Sequence, residues 1–206
     1  MKDNTNVKIL NYDVDWLEIK DACMQTISKE AKGEPPKEWR RKLLICQHSP
    51  IRRGVIKWKM DVPFYVHAHM VRHGIGTNFF VATSRSDRTE IKDRSERKQT
   101  DIVSMQMDAN IQALINISAK RLCLCSDQQT IKHWKAVLEA IKEYDEDIYW
   151  ACVPQCVRCG SCVEPFGKCE FYKGLMTGHT LEEQQDIMKR YDIYNEHREK
   201  VKIKKI

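Results

Sequence analysis

The sequence lacks the features that mark membrane, secreted and repetitive proteins. No apolar run approaches the roughly 20 residues that a membrane-spanning helix needs, so we expect no association with a membrane. Residues 1–6 have no apolar core behind them, so we expect no secretory leader and a cytoplasmic location. No repeat or low-complexity block interrupts the 206 residues, a length typical of one domain.

Two familiar motifs are also missing. Gly74 and Gly76 form too short a pattern for the glycine-rich fingerprint of dinucleotide-binding proteins. His69 and His73 have the i, i+4 spacing of a zinc pair on a helix. A zinc protease needs a glutamate directly after the first histidine, and Met70 stands there. The sequence therefore disfavours both of these sites.

Positive charge and cysteine are what the sequence has in excess. The net charge is +6, and much of it lies in the basic tail 198–205. Such a charge suits an anionic partner, whether a nucleotide, a phosphorylated cofactor or a nucleic acid, but a solvated basic tail is the more common reason for such a run. Five of the nine cysteines fall in one short stretch, namely Cys152, Cys156, Cys159, Cys162 and Cys169.

An odd number of clustered cysteines in a chain without a secretory leader favours metal binding over disulfides. Four thiolates suit a closed, structural zinc site, with an iron–sulfur cluster or free thiols as alternatives. We predict that the zinc ligands are Cys152, Cys156, Cys162 and Cys169. Cys159 is then the spare thiol, and we interpret Cys123 and Cys125 as packing at the end of a helix.

Hydrophobic spacing predicts a helix-rich α+β fold. We predict helices over residues 15–27, 38–46, 64–72, 103–124, 129–144 and 180–194, the last beginning at a capping box. Strands are predicted over 53–60 and 79–82. The mixed-charge segment 84–99 has almost no apolar content, so we predict a loop there. We divide the chain into a catalytic domain (1–150), a cysteine-rich module (151–175) and a C-terminal helix with its basic tail (176–206).

A candidate anion site lies in the middle of the chain. His69, Arg72 and His73 share one face of a predicted helix. Arg85 and several hydroxyl groups follow shortly after, and arginines with hydroxyls are the donors that a phosphate group needs. The alternative is a histidine face that packs against the core.

These residues resemble the flavin-dependent thymidylate synthases. That family has a Ser-Pro entry, an apolar helix after a proline, an Arg-His-Arg motif, a Ser-x-Arg site and an Asn-Ala-Arg…Asn…Arg helix. The matching residues here are Ser49-Pro50, Pro63, Arg72-His73, Arg85, Asn110, Asn116 and Arg121. The resemblance covers about residues 45–140, and the cysteine-rich tail is similar to a divergent, often phage-encoded branch.

The resemblance implies an antiparallel sheet with long helices and a homotetramer with active sites between subunits. It further implies that a one-carbon unit passes from methylenetetrahydrofolate to C5 of dUMP, with FAD as cofactor and NADPH as reductant. The FAD-binding residues would be Arg72, His73, Asn110 and Asn116. The dUMP-binding residues would be His69, Arg72, Thr83, Ser84, Arg85 and Arg121, and Arg94 or Arg97 of the charged loop would add a phosphate contact.

Arg121 is the predicted catalytic residue. It would face the uracil ring and act by electrostatics, because a guanidinium group does not lose its proton. Two departures bear on the flavin, since Gly74 and Gln112 stand where the family has arginines. A deoxyuridylate hydroxymethylase of the same fold is therefore one alternative. A zinc-containing nucleic-acid-binding protein that reuses the fold is the other, although we expect no nucleic-acid partner.

Overall fold

The computed structural model describes residues 6–89, 93–165, 167 and 169–203, with the backbone alone at residue 94 and residues 201–203. Over these residues, four strands form one antiparallel sheet in the order β1-β2-β4-β3. The strands are β1 (Val7–Asp13), β2 (Val55–Pro63), β3 (Thr77–Val81) and β4 (Ile102–Asn110). The predicted combination of an antiparallel sheet with helices is confirmed.

Helices surround the sheet on its buried side and make up the C-terminal part. They are α1 (Trp16–Gln25), α2 (Lys37–Cys46), α3 (Phe64–Met70), α4 (Ile111–Arg121), α5 (Gln128–Lys142), α6 (Glu146–Ala151), α7 (Gln155–Cys159), α8 (Phe171–Met176), α9 (Leu181–Gln185) and α10 (Ile187–Ile203). Short 3-10 helices cover Ser49–Arg53 and Arg94–Glu96. Among the described helices, none has the length and apolarity to cross a membrane.

The predicted helix over 103–124 is wrong in its first part, which is strand β4. Every second residue of β4 is buried, namely Val103, Met105, Met107 and Ala109. β4 lies between β2 and β3 and pairs with both, so tertiary pairing decides its conformation. At Asn110 the strand runs directly into α4, and the Asn110 side chain caps the helix by accepting from the Ala113 amide at 2.9 Å. Strand β1, at the sheet edge, was not predicted.

The core lies between the buried face of the sheet and helices α4 and α5. Trp58 of β2 packs edge-on against Trp134 of α5, with ring centroids 6.1 Å apart. The Trp134 indole nitrogen donates to the Ser118 hydroxyl of α4 at 3.0 Å, so the polar atom of this buried ring is satisfied. This packing fixes α4, and with it Arg121, relative to the sheet.

The C-terminal helices join the same core. Val157 of α7 and Tyr191 of α10 are buried in it. The buried guanidinium of Arg190 donates to the carbonyl oxygens of Val157 and Arg158 at 2.8 Å each, which fastens α7 to α10. Residues of all three predicted segments belong to one core cluster. The division of the chain into three domains stays a prediction. The predicted capping box of Thr180 is confirmed, but it begins α9, and α10 follows after Asp186.

Candidate functional site

Arg121, at the last turn of α4, joins the end of α4 to the end of α3. Its Nε donates to the Nε2 atom of His73 at 2.9 Å, and its Nη2 donates to the backbone oxygen of His69 at 2.7 Å. His69 belongs to α3, and His73 lies in the turn that leads to β3. The structure therefore brings together three of the residues that the sequence predicted for the nucleotide and flavin sites.

Positive charge accumulates around Arg121. Burial and the nearby charge of Arg72 lower the pKa of the Arg121 guanidinium, which still stays cationic at neutral pH. Arg72 itself is exposed. Both hydrogen-bond partners of Arg121 are uncharged groups, so they orient its charge without neutralising it. Two guanidinium groups in this arrangement attract an anion or an electron-rich ring.

His73 is a neutral side chain at physiological pH. Burial and the charge of Arg121 lower its pKa from the ordinary value of 6.5 to about 4. Because the Arg121 Nε–H points at Nε2, the single ring proton must sit on Nδ1. His73 thus holds Arg121 as an acceptor on one side and offers a donor on the other.

Acidification should destabilise the fold through His73. The unfolded imidazole takes up a proton below about pH 6.5, whereas the native one resists it until about pH 4, so the free energy of unfolding falls as the pH falls through this window. Replacing the group, in His73→Gln, should reduce that pH dependence. Urea unfolding of both proteins at neutral pH and in the middle of the window checks this, and equal pH dependence would contradict it.

A relay of hydrogen bonds fixes the orientation of His69. The hydroxyl of Thr130, which is fully buried, donates to the Asp127 carboxylate at 2.9 Å and lies 2.8 Å from the Nδ1 atom of His69. Although burial opposes it, hydrogen bonds from Thr130 lower the pKa of Asp127. Since the hydroxyl donates to a carboxylate, it accepts from His69 Nδ1–H. The Nε2 atom of His69 is left as an acceptor.

Gly76 lets the turn before β3 approach the start of α4. The Asn110 amide donates to the Gly76 oxygen at 3.0 Å, and the Gly76 φ of +75° is in the left-handed region. A Cβ atom at Gly76 would lie 2.7 Å from the Asn110 side-chain nitrogen. The predicted flavin-binding residue Asn110 is thus packed against the turn that carries His73.

The variants Gly76→Ala and Gly74→Ala form a matched pair. The first should cost roughly 1–3 kcal/mol of unfolding free energy, because it adds both backbone strain and a close contact. The second should change it by less than about 0.5 kcal/mol, since nothing lies within 4 Å of a Cβ at Gly74 and its φ is ordinary. Denaturant unfolding measures both, and similar losses would contradict this account of the turn.

Gln112 and Asn116 extend the polar side of α4 beyond Asn110. The Gln112 amide nitrogen donates to the Asn116 side-chain oxygen at 3.2 Å and also contacts the Gln47 amide at 2.7 Å. With its oxygen turned towards α7, Gln47 accepts from the guanidinium of Arg158 at 2.7 Å. The cysteine-rich segment thus delivers an arginine to Gln47, which in turn contacts Gln112. Sequence reasoning missed this contact because it joins distant parts of the chain.

Thr83, Ser84 and Arg85 lie beyond the end of β3. The Arg85 guanidinium makes two bonds of 2.9 and 2.8 Å to the Asp87 carboxylate, and its backbone nitrogen donates to the Thr83 hydroxyl at 3.3 Å. Among the described residues, no hydrogen bond joins these three residues to Arg121. The side chain of Arg94 lies outside the described residues. The phosphate-binding part of the site stays a prediction.

The predicted zinc ligands do not all meet. Cys152 is fully buried next to Ser118, and burial raises its pKa to about 11. The other three predicted ligands, Cys156, Cys162 and Cys169, line a different place, a small cavity that Cys123 also lines. No three metal-ligating side chains among the described residues are arranged to hold an ion as they stand. The sequence analysis interpreted Cys123 as packing at a helix end, whereas in the structure it lines the same cavity as three of the predicted ligands.

Comparison with known proteins gives a structural likeness. No protein-family model matches the chain, and no curated protein matches it in sequence. Among solved structures, the chain is similar to the UMP/dUMP methylase PolB from Streptomyces cacaoi, which was crystallised with 5-Br dUMP. The TM-score is 0.55 at 10% identity, and the match covers 71% of this chain and 94% of that one. At this identity the likeness shows a shared fold.

Proposed function

We propose that the protein modifies dUMP by transferring a one-carbon unit to C5 of the uracil ring. The observation that carries this proposal is the Arg121 site, in which a cation is held by two neutral groups with a second arginine nearby. The fold shared with a UMP/dUMP methylase and the motif resemblance around residues 45–140 support it. Transfer to C5 gives dTMP if the carbon is reduced, and hydroxymethyl-dUMP if water captures it.

Arg121 has the properties that this chemistry requires. To make C5 nucleophilic, electron density must be pushed into the uracil ring, which places negative charge on a ring oxygen. A fixed guanidinium stabilises that charge more in the transition state than in the ground state. Because His73 and the His69 backbone already hold the guanidinium, little reorganisation is needed when the charge develops. His69, as an acceptor at Nε2, would complement an N–H group of the same ring.

FAD is the cofactor that we propose, and the residues present fit it. Imidazole and amide donors of the kind that bind flavin-ring heteroatoms occur at His73, Asn110 and Asn116, along the turn and the exposed side of α4. Arg158 adds a cation for the phosphates beside Gln47, which contacts Gln112. When bound, the flavin supplies the hydride chemistry, with NADPH as reductant and methylenetetrahydrofolate as carbon donor.

Replacing Arg158 should weaken FAD binding. Removal of one charge-assisted contact to a phosphate costs about 1.5–3 kcal/mol, which is roughly a 10- to 150-fold increase in the dissociation constant. We expect this loss in Arg158→Ala, with dUMP binding unchanged. Fluorescence titration of free FAD measures it, with Arg88→Ala, an exposed arginine of the charged loop, as the control. Equal FAD affinity in Arg158→Ala and the unmodified protein would contradict the role.

We further propose a homotetramer whose active sites lie between subunits. The resemblance around residues 45–140 implies active sites between subunits, so Thr83, Ser84 and Arg85 of a second copy would complete the site beside Arg121. Light scattering behind size exclusion, with and without dUMP, tests the oligomeric state. A monomer that turns over dUMP would contradict the shared site.

The reaction itself is tested by product analysis. The purified protein is incubated with dUMP, methylenetetrahydrofolate, FAD and NADPH. The nucleotides are then separated and their masses are measured by mass spectrometry. We expect a methylated or hydroxymethylated dUMP, and the mass of the product decides between the two. Protein that binds dUMP but returns it unmodified would contradict the proposed function, as would preferential, salt-sensitive binding of nucleic acid over free dUMP.

A further inference from the structure

Four thiols from separate segments meet around one small cavity. Cys123 follows the end of α4, Cys156 lies on α7, and Cys162 and Cys169 lie on the chain between α7 and α8. The cavity has a volume of about 20 Å³, which is room for one ion or one water molecule. Its remaining wall is largely apolar, including Ala119. Gln155, Glu164 and Tyr172 supply the other polar groups of the lining, and the fold gathers four sulfur atoms at this one place.

The same four thiols interact electrostatically. Cys123, Cys162 and Cys169 lie close enough to Cys156 for their charges to act on its sulfur. The groups that repel the Cys156 thiolate are therefore the groups that share its cavity. A divalent cation at their centre would convert this repulsion into attraction.

We propose that Cys123, Cys156, Cys162 and Cys169 together bind one zinc-class divalent cation as four thiolates. Each thiol releases its proton to solvent when its sulfur binds the ion, so four protons leave for one cation. Four sulfur ligands leave no open coordination position, so the site is structural. This proposal does not depend on the proposed function.

Binding requires the sulfur atoms to move closer together, because no three of the described ligating groups are yet placed around one point. Two glycines in the connection between α7 and α8, Gly160 and Gly167, would permit this movement. Gly160 ends α7 with a φ of +75°, and nothing lies within 4 Å of a Cβ at Gly167. The consequence for the rest of the molecule is direct, since Cys123 is two residues from Arg121. The ion would tie the cysteine-rich segment to the end of α4.

Two further cysteines of this region have other surroundings. Cys152 is fully buried next to Ser118, and Cys159 is exposed and accepts from the Gln155 side chain at 3.0 Å. Cys125 lies beside the cavity, where its thiol interacts with those of Cys123 and Cys169 and its sulfur donates to the Gly167 oxygen at 3.2 Å, so it is not a control position. Cys152 and Cys159 therefore serve as control positions, and Cys152 separates this ligand set from the one that the sequence predicted.

Metal analysis of the full-length protein tests the proposal. We expect one zinc ion for each chain after purification without chelator, and an intense sulfur-to-cobalt charge-transfer absorption with tetrahedral bands when cobalt(II) replaces it. Cys123→Ser should lose stoichiometric zinc and this absorption, whereas Cys152→Ser and Cys159→Ser should keep both. Loss of metal in Cys152→Ser with retention in Cys123→Ser would overturn the ligand set, and iron with inorganic sulfide in place of zinc would overturn the cation class.

Thiol protection in the unmodified protein gives a readout that does not depend on the folding of a variant. The chain is alkylated with iodoacetamide in the presence of zinc(II) or of a chelator, and the modified cysteines are mapped by mass spectrometry. We expect zinc to protect Cys123, Cys156, Cys162 and Cys169 and to leave the exposed Cys159 reactive. Equal labelling of the four with and without zinc would overturn the site.

Discussion

Replacing Arg121 with alanine should lower kcat for dUMP modification by about 10²- to 10³-fold, the usual effect of removing one preorganised donor to a developing oxyanion. The reason lies in the geometry around Arg121. Its guanidinium is held at 2.9 Å from His73 and 2.7 Å from the His69 oxygen, so its charge is fixed before the reaction starts. A water molecule in its place would have to reorient as charge develops. Steady-state kinetics with saturating dUMP measures the change.

Two further variants sharpen this prediction. Arg121→Lys keeps the charge, but a single ammonium group lacks the two planar N–H groups that bond to His73 and to the His69 oxygen. We therefore expect its kcat to lie between those of Arg121→Ala and the unmodified protein. Lys120→Ala removes a neighbouring exposed cation of α4 and should leave kcat unchanged. Full activity in Arg121→Ala, or equal losses in the variants of Arg121 and Lys120, would contradict the role of Arg121.

Replacing Asp145 with alanine should destabilise the fold by about 3–5 kcal/mol, as expected when a buried charged acceptor leaves its partners unpaired. The Asp145 carboxylate accepts from the Tyr12 hydroxyl at 2.9 Å and from the Trp16 indole nitrogen at 2.7 Å. It also caps α6 by accepting from the amides of Asp147 and Ile148. One side chain therefore joins β1, α1 and α6, and its removal leaves several buried donors without a hydrogen-bond acceptor.

The conservative variant Asp145→Asn keeps an oxygen for the α6 cap but loses the charge and one acceptor, so it should cost less than alanine. The adjacent Glu146 is exposed, and Glu146→Ala should change stability by less than about 0.5 kcal/mol. Equilibrium unfolding in urea gives all three values. A loss below about 1 kcal/mol for Asp145→Ala would contradict its role as a junction.

The local hydrophobic pattern predicted most helices and two of the strands. It failed where pairing between distant segments determines the secondary structure. Residues 103–110 are apolar enough to continue the helical pattern of α4, and only their neighbours β2 and β3 make them a strand. Strand β1 carries alternating polar residues at a sheet edge, and its pairing partner β2 begins 42 residues after β1 ends. No window of the sequence contains that information.

The site shows the same limit. His69, His73 and Arg121 were predicted one by one, and the structure brings them together because α3 and α4 end side by side. The relay from His69 through Thr130 to Asp127 could not be predicted, since it spans 61 residues. The same holds for the contact of Arg158 with Gln47 and for Cys123, which joins the cysteine cavity only in three dimensions.

The central claim is that FAD and dUMP share one site beside Arg121. A visible absorbance titration of the purified protein with FAD, followed by dUMP, tests it most directly. The account predicts a shifted flavin spectrum on binding and a second change when dUMP is added, which Arg121→Ala should weaken. A folded protein that leaves the flavin spectrum unchanged, or a bound flavin that does not respond to saturating dUMP, would contradict it.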